Sequence, residues 1–158
     1  MPKLTHFDDK GASRMVDVSA KKETVRRAVA RGSVLMSPET FRIIMDRGLA
    51  KGDVFEVARL AGIMAAKKTP DIIPLCHPLN LSSVEVNFYP DAEKSEIVIE
   101  AVAKITGKTG VEMEALTAVA AAGLTVYDMC KAVDKKMVIN GIRLMEKTGG
   151  KSGRFIRE

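Results

Sequence analysis

Two pairs of charged side chains stand at the ends of one apolar segment, Glu112 and Glu114 at its start and Asp128 and Lys131 near its close. Carboxylates and amines are groups that proteins use to move protons and to hold polar ligands. Between them the chain is rich in alanine and reads as a helix from about Val111 to Val133. In the first turn the two glutamates complement the positive end of the helix dipole. As functional groups they would accept hydrogen bonds from the N–H donors of a ligand. Asp128 and Lys131 lie three residues apart and share a face. By themselves they would form a surface ion pair of small energetic worth, but the apolar Val126, Met129, Cys130 and Val133 around them suggest a partly buried one. Sixteen residues separate Glu112 from Asp128, which along a straight helix is about 24 Å. Both ends cannot reach one small ligand within a single chain. Either only one end is functional, or the site takes its two halves from different subunits.

A second candidate lies in Ile72–Leu79, where Pro74 and Pro78 enforce an extended, irregular path. His77, one of two histidines, is there either a satisfied core residue or a proton donor and acceptor in a cleft. Cys76 beside it is better read as a small hydrophobe than as a catalytic thiol. Gly107-Lys108-Thr109 and Gly150-Lys151-Ser152 both end like a nucleotide-hydrolase loop. Each lacks the earlier glycine that loop requires, since those positions are Val102 and Met145. What remains is two cationic, glycine-rich segments, the first placed just before a helix N-terminus where an anion is favoured.

The elements that must carry these residues follow from pattern. Thr24 to Met36 alternates, with Arg26, Ala28, Ala30, Gly32 and Val34 on one side and Val25, Arg27, Val29 and Arg31 on the other, as in a strand. Ser37-Pro38-Glu39 opens a helix that Gly48 ends. Asp53 opens a second helix that runs to about Lys68 and stops before Pro70. Val84, Val86 and Phe88, then Ile97, Ile99 and Ala101, form a hairpin about Pro90–Lys94. The long helix comes next, then a strand from Met137 to Met145. Strand, helices, strand, strand, helix, strand is the order of a ferredoxin-like α+β fold, a split βαβ arrangement with helices on one face of an antiparallel sheet. The expected organisation is a single domain over 1–158, with a loosely ordered arm over 1–20 and a flexible, basic, Gly-rich tail over 148–158.

Composition narrows the function classes. A chain of 158 residues that is 46% hydrophobic and 28% charged can build one ordinary core. Its net charge of +5 favours an anionic partner. With no Trp, two Tyr and five Phe, there is little from which to build a stacking platform for nucleic acid. Two cysteines without a CxxC spacing suit a reducing compartment and no structural zinc site. No signal-peptide pattern and no membrane-length apolar run occur, so a cytoplasmic location with no membrane partner is expected.

Seven stretches together carry a resemblance to a known family: Arg14–Val18, Lys51–Asp53, Ala61–Thr69, Ile73–Leu79, Thr109–Thr117, Leu124–Ala132 and Gly149–Gly153. The chain resembles the molybdenum cofactor biosynthesis protein C family of cyclic pyranopterin monophosphate synthases, in order and from about Leu4 to Gly153. The resemblance implies a ferredoxin-like subunit and a hexamer, a trimer of dimers with sites at the dimer interface. It implies a phosphorylated substrate derived from GTP, the 3′,8-cyclised dihydroguanosine triphosphate, and the products cyclic pyranopterin monophosphate and diphosphate. It places Leu75, Cys76, His77, Met113 and Glu114 in the substrate pocket, gives Asp128 a catalytic role, and implicates Lys51 and Lys131. Gly123 inside the long helix and Pro70 depart from the family's pattern, away from the expected site.

On that reading Asp128, Lys131, Lys51 and His77 are the acid, base and charge-stabilising groups. Arg26, Lys67 and Lys147 are further cations for the phosphates, and Glu112 and Glu114 accept from guanine-type N–H groups. No metal-ligand cluster appears and no cofactor is required, although Mg²⁺ could arrive with the triphosphate. The alternative is a noncatalytic basic α+β module that binds RNA. It would need aromatics on the central strands of its sheet, and Ile97 to Ile105 has none.

Overall fold

A computed structural model describes residues 4–46 and 53–158. The elements are β1 (Thr24–Leu35), α1 (Pro38–Met45), α2 (Val54–Lys67), α3 (Thr69–Ile72), β2 (Ser83–Asp91), β3 (Glu96–Gly107), α4 (Glu112–Cys130), β4 (Val138–Thr148) and β5 (Phe155–Ile156). The sheet order is β2-β3-β1-β4-β5, with every neighbouring pair antiparallel. This is the expected ferredoxin-like α+β arrangement, extended at one edge by the short β5.

The alternation in β1 decides which face the helices cover. Ala28, Ala30 and Val34 are fully buried. With Ile97, Ile99, Ala101, Ala103 and Ile105 of β3 and Val86 of β2 they form the floor of the core. The roof is Phe41 and Ile44 of α1, Phe55, Ala58 and Ala66 of α2, and Ala115, Ala118, Val119, Ala122 and Val126 of α4. Small residues dominate the inward side of α4, so this helix lies close against the sheet. Its Gly123 fits the same geometry: a Cβ there would stand 3.1 Å from Ile139.

Local chemistry sets the ends of the elements. Ser37 Oγ accepts from the Thr40 N–H at 3.1 Å, and Asp53 Oδ1 accepts from the Phe55 N–H at 2.9 Å, capping α1 and α2. Asp91 Oδ1 takes the N–H groups of Glu93 and Lys94, and this closes the β2–β3 turn.

Four boundaries differ from expectation. Helix α4 stops at Cys130, short of Val133. Strand β4 runs to Thr148, past Met145. Pro70 does not simply end the preceding helix; it sits in the first turn of the one-turn α3, where its missing N–H costs nothing. The 148–158 segment, expected as a flexible tail, contains β5, which pairs Phe155 with Lys147 and Ile156 with Glu146. The helix stop expected at Gly48 lies outside the described residues.

Helices α2 and α4 cross through Gly62. A Cβ on Gly62 would lie 3.0 Å from the Ala118 carbonyl oxygen and 3.0 Å from a Val86 methyl. Neither the helix backbone nor the packed valine can yield freely. Gly62→Val should destabilise the fold by roughly 2 kcal/mol or more, the usual cost of overpacking a tight core. A urea midpoint equal to that of the parent protein would show that the crossing is looser than this geometry requires.

Candidate active site

Two clefts meet at the N-terminal end of α4. The first, of about 290 Å³, is walled by Leu75, Cys76, His77 and Leu79 from the proline-bounded segment, and by Glu112, Met113 and Glu114 from α4. The arm that precedes β1 supplies its outer wall, with Thr5, His6, Val16 and Val18. The second, of about 680 Å³, is lined by Lys21, Lys22, Arg26, Lys147 and Lys151. Lys21, Thr109 and Gly110 line both clefts. On their border the Lys147 ammonium donates to Glu112 Oε1 at 2.6 Å, and both side chains are about three-quarters buried. A carboxylate-lined pocket therefore opens beside a lysine-lined one, with one ion pair joining them.

The loop before α4 is held in place by Arg26. Its guanidinium is buried, and Nε and Nη2 donate to the carbonyls of Gly107 and Lys108 at 3.0 and 3.1 Å. The tail closes on the same group. Gly150 has φ +79°, and a Cβ there would stand against the Arg26 guanidinium. This left-handed, crowded position suits glycine alone. The tail tripeptide Gly150-Lys151-Ser152 thus becomes one wall of the cationic cleft.

Glu114 is almost fully buried. Burial pushes its carboxyl up to about 7; its own backbone N–H pulls the other way, and the charge of Glu112 adds to the rise. Burial, with the nearby Glu114, also raises the Cys76 thiol. That disfavours a thiolate and fits the reading of Cys76 as pocket wall. The His77 ring nitrogen Nε2 lies 2.7 Å from the Val16 carbonyl oxygen and ties the arm to the pocket. Asp17, next along the arm, is held below the usual carboxylate range by the hydroxyl and N–H of Ser19, with the charges of His77 and Lys108 contributing.

Other expected residues lie elsewhere. Lys67 lines a separate cleft of about 360 Å³ that shares Leu79 with the carboxylate pocket. Lys51 lies outside the described residues. Asp128 and Lys131 pair at 2.6 Å at the opposite end of α4, and the Asp128 carboxylate accounts for the raised Lys131 ammonium. The expectation of a partly buried pair is corrected within the protomer: their side chains are 70% and 56% exposed. Val126 and Cys130 take the inward face of the helix, and a residue two positions from each points about 200° away. Within one chain, then, the two groups of expected site residues stand at opposite ends of α4.

A sequence model of the MoaC family matches residues 15–150. Over all 158 residues the chain is 65% identical to the cyclic pyranopterin monophosphate synthase of Heliobacterium modesticaldum, covering 99% of that protein. It is 60% identical to the synthase of Magnetococcus marinus, again over its whole length and 97% of the relative. To the Rhodospirillum rubrum synthase it is 65% identical over 150 residues, 95% of this chain and 90% of the other.

The chain belongs to the MoaC family.

The two clefts of this member of the MoaC family also take residues that carry little or no sequence signal. Thr5, His6, Lys21 and Lys22 line them without having been singled out, whereas Lys151 belongs to the cationic Gly150-Lys151-Ser152 segment read from the sequence. Lys21-Lys22 had a readable signal, a cation pair just ahead of the strand that carries Arg26. His6 had none, because nothing in its spacing says that an arm folds back over a pocket. The open face of the sheet is occupied differently. Its central strands carry Val29 and Val102 in register, flanked by the pairs Arg27–Glu146 and Arg31–Glu100. Neutralised arginines and valines do not make the aromatic platform of an RNA-binding sheet.

Proposed function

We propose that this protein is a cyclic pyranopterin monophosphate synthase acting on the 3′,8-cyclised dihydroguanosine triphosphate. One observation carries the reading. A pocket with two carboxylates adjoins a cleft with four lysines, which suits a ligand with N–H donors at one end and phosphates at the other. Glu112 and Glu114 would accept from the guanine-derived ring. Lys21, Lys22, Lys147 and Lys151 would neutralise the triphosphate. Met113 and Leu75 give the ring an apolar wall. Arg26 keeps the loop before α4 in place and is among the residues that line the cleft.

The reaction class is phosphorus–oxygen lyase. Opening and rebuilding the ring system requires proton transfers, and Asp128, Lys131, Lys51 and His77 are the groups proposed to carry them. In the final step a sugar hydroxyl attacks the α-phosphorus. The new oxygen–phosphorus bond closes the cyclic phosphate, the bond to the β-phosphate breaks, and diphosphate leaves while the hydroxyl proton passes to a base. The lysines stabilise charge on the leaving diphosphate. Among the described residues no group of three or more His, Cys, Asp or Glu side chains is placed to hold a metal ion. Mg²⁺ would enter as the counter-ion of the triphosphate. The split site calls for a second subunit, and a hexamer built as a trimer of dimers meets that requirement. No described helix is long and apolar enough to cross a membrane, and we place the enzyme in the cytoplasm with its GTP-derived substrate.

The test supplies the cyclised guanosine triphosphate and follows diphosphate release and the tricyclic pterin. The expected result is turnover by the parent protein and a loss of about a hundredfold or more in Lys51→Ala and Asp128→Ala, typical of removing a proton-transfer group. A parent protein without turnover, or variants indistinguishable from it, would sink the proposal.

A further inference from the structure

The segment before β1 is a small preformed device. Asp8 accepts the N–H groups of Lys10 and Ala12 on one carboxylate oxygen, each at 2.9 Å. The Asp8 N–H donates to the Ala12 carbonyl at 2.9 Å, and the Arg14 N–H to the His6 carbonyl at 2.8 Å. Gly11, at φ +83°, makes the turn. Phe7 bridges Ser13. Residues 6–14 therefore form a tight hairpin that satisfies its own backbone.

Among the described residues, two polar contacts tie the stretch that follows it to the body. The Val16 carbonyl meets the His77 ring, and the Lys108 ammonium donates to the Ser19 carbonyl at 3.1 Å. Leu4, Phe7 and Met15, the large apolar side chains of this stretch, are 78%, 48% and 51% exposed, so the hairpin is not packed into the core. Yet the same stretch brings Thr5 and His6 into the lining of the carboxylate pocket, together with Leu75, Glu112 and Glu114. A unit that is rigid within itself and weakly attached moves as a body. Lids of this kind complete a pocket once the ligand is in place.

We propose that His6 is a substrate-contacting residue of the carboxylate pocket, carried by a hairpin lid that opens to admit the ligand. His6 lines the pocket of Glu112 and Glu114 and not the lysine cleft, so its partner is the ring end of the ligand rather than its phosphates. Its imidazole is a hydrogen-bond donor or acceptor for a polar edge of that ring. The latch is the contact between His77 and the Val16 carbonyl, and His6 sits at the open end of the hairpin, paired with Arg14, where it lines the pocket. This inference rests on the function proposed above for the ring-binding role.

Two measurements on the intact oligomer test it. In the first, kcat and KM for the cyclised guanosine triphosphate are compared for the parent, His6→Ala and His6→Gln. Loss of one ligand hydrogen bond should lower kcat/KM about tenfold in His6→Ala, mostly through KM, and His6→Gln should recover most of it. An unchanged kcat/KM in His6→Ala overturns the contact. In the second, trypsin cleavage after Lys10 and Arg14 is followed by mass spectrometry with and without GTP as probe. Slower cleavage at both sites with GTP supports the lid, while equal rates overturn it. The second measurement needs no turnover. A parent protein that protects its arm but produces no pterin would therefore reject the proposed function while keeping the lid, and turnover without protection would do the reverse.

Discussion

Mixing Glu112→Ala subunits with Asp128→Ala subunits should restore activity that neither variant has alone. The geometry within one chain is the reason. Glu112 opens α4, a helix of 19 residues, and Asp128 lies on an exposed surface two residues before it ends. At 1.5 Å per residue they stand about 24 Å apart, too far for one nucleotide-sized ligand to bridge in a pocket built at one end. If each site takes its carboxylate pocket from one subunit and Asp128 with Lys131 from the partner, a mixed dimer holds one site with both defects and one with neither. Random pairing at equal amounts makes half the dimers mixed, with one of two sites intact in each. The recovered rate should approach about a quarter of the parent rate per site for such a twofold interface. Denaturing the two variants together and refolding them supplies the mixture, and native mass spectrometry confirms that mixed oligomers form. Mixed oligomers that remain inactive would place the whole site within one subunit and leave the Asp128–Lys131 pair as an ordinary surface contact.

The elements and the expected site residues were unevenly legible in the sequence, for physical reasons. The β1 alternation and the cap residues Ser37 and Asp53 act locally, so β1, α1 and α2 were legible within a few residues. The carboxylate pocket was legible through Leu75, Cys76, His77, Met113 and Glu114, which the structure brings to one cleft although some 35 residues separate them in sequence. That much came through family resemblance, since no periodicity links the two segments. Apolar neighbours in sequence do not bury Asp128 and Lys131 within the protomer, because on a helix Val126 and Cys130 face away from Asp128. The arm and the tail were least legible. The cationic Gly150-Lys151-Ser152 segment was readable, but the path that brings it to a cleft depends on a guanidinium under Gly150, and that of His6 on a ring nitrogen at Val16. Such contacts leave no spacing signal.

The stability of the protein should fall as pH rises from about 4.5 to about 7, and Glu114→Gln should abolish that fall. Burial raises the Glu114 carboxyl from its ordinary value to about 7, a rise that the charge of Glu112 augments. Between the two values the folded protein holds a proton that the unfolded chain has released. Stability in this window therefore declines with increasing pH and is flat above about 7, where both states are ionised. The full cost is on the order of 3 kcal/mol, since every tenfold change in proton affinity between the folded and unfolded chain is worth about 1.4 kcal/mol. Glutamine keeps the shape and cannot ionise, so the variant should gain on the parent across the window and hold its advantage above it. Unfolding midpoints at intervals from pH 4 to 8.5 measure this. A gap that does not change with pH would show that Glu114 does not titrate in that range. Substrate affinity should run the opposite way. A carboxylate that accepts from ring N–H groups must be ionised, so in the parent KM should fall as pH rises towards 7 and then level off, with no such inflection in Glu114→Gln. The same buried carboxylate would then weaken the empty fold and strengthen the occupied one. That opposition separates a ligand-binding glutamate from one that merely complements the helix dipole, because a dipole partner would stabilise the fold in its ionised form.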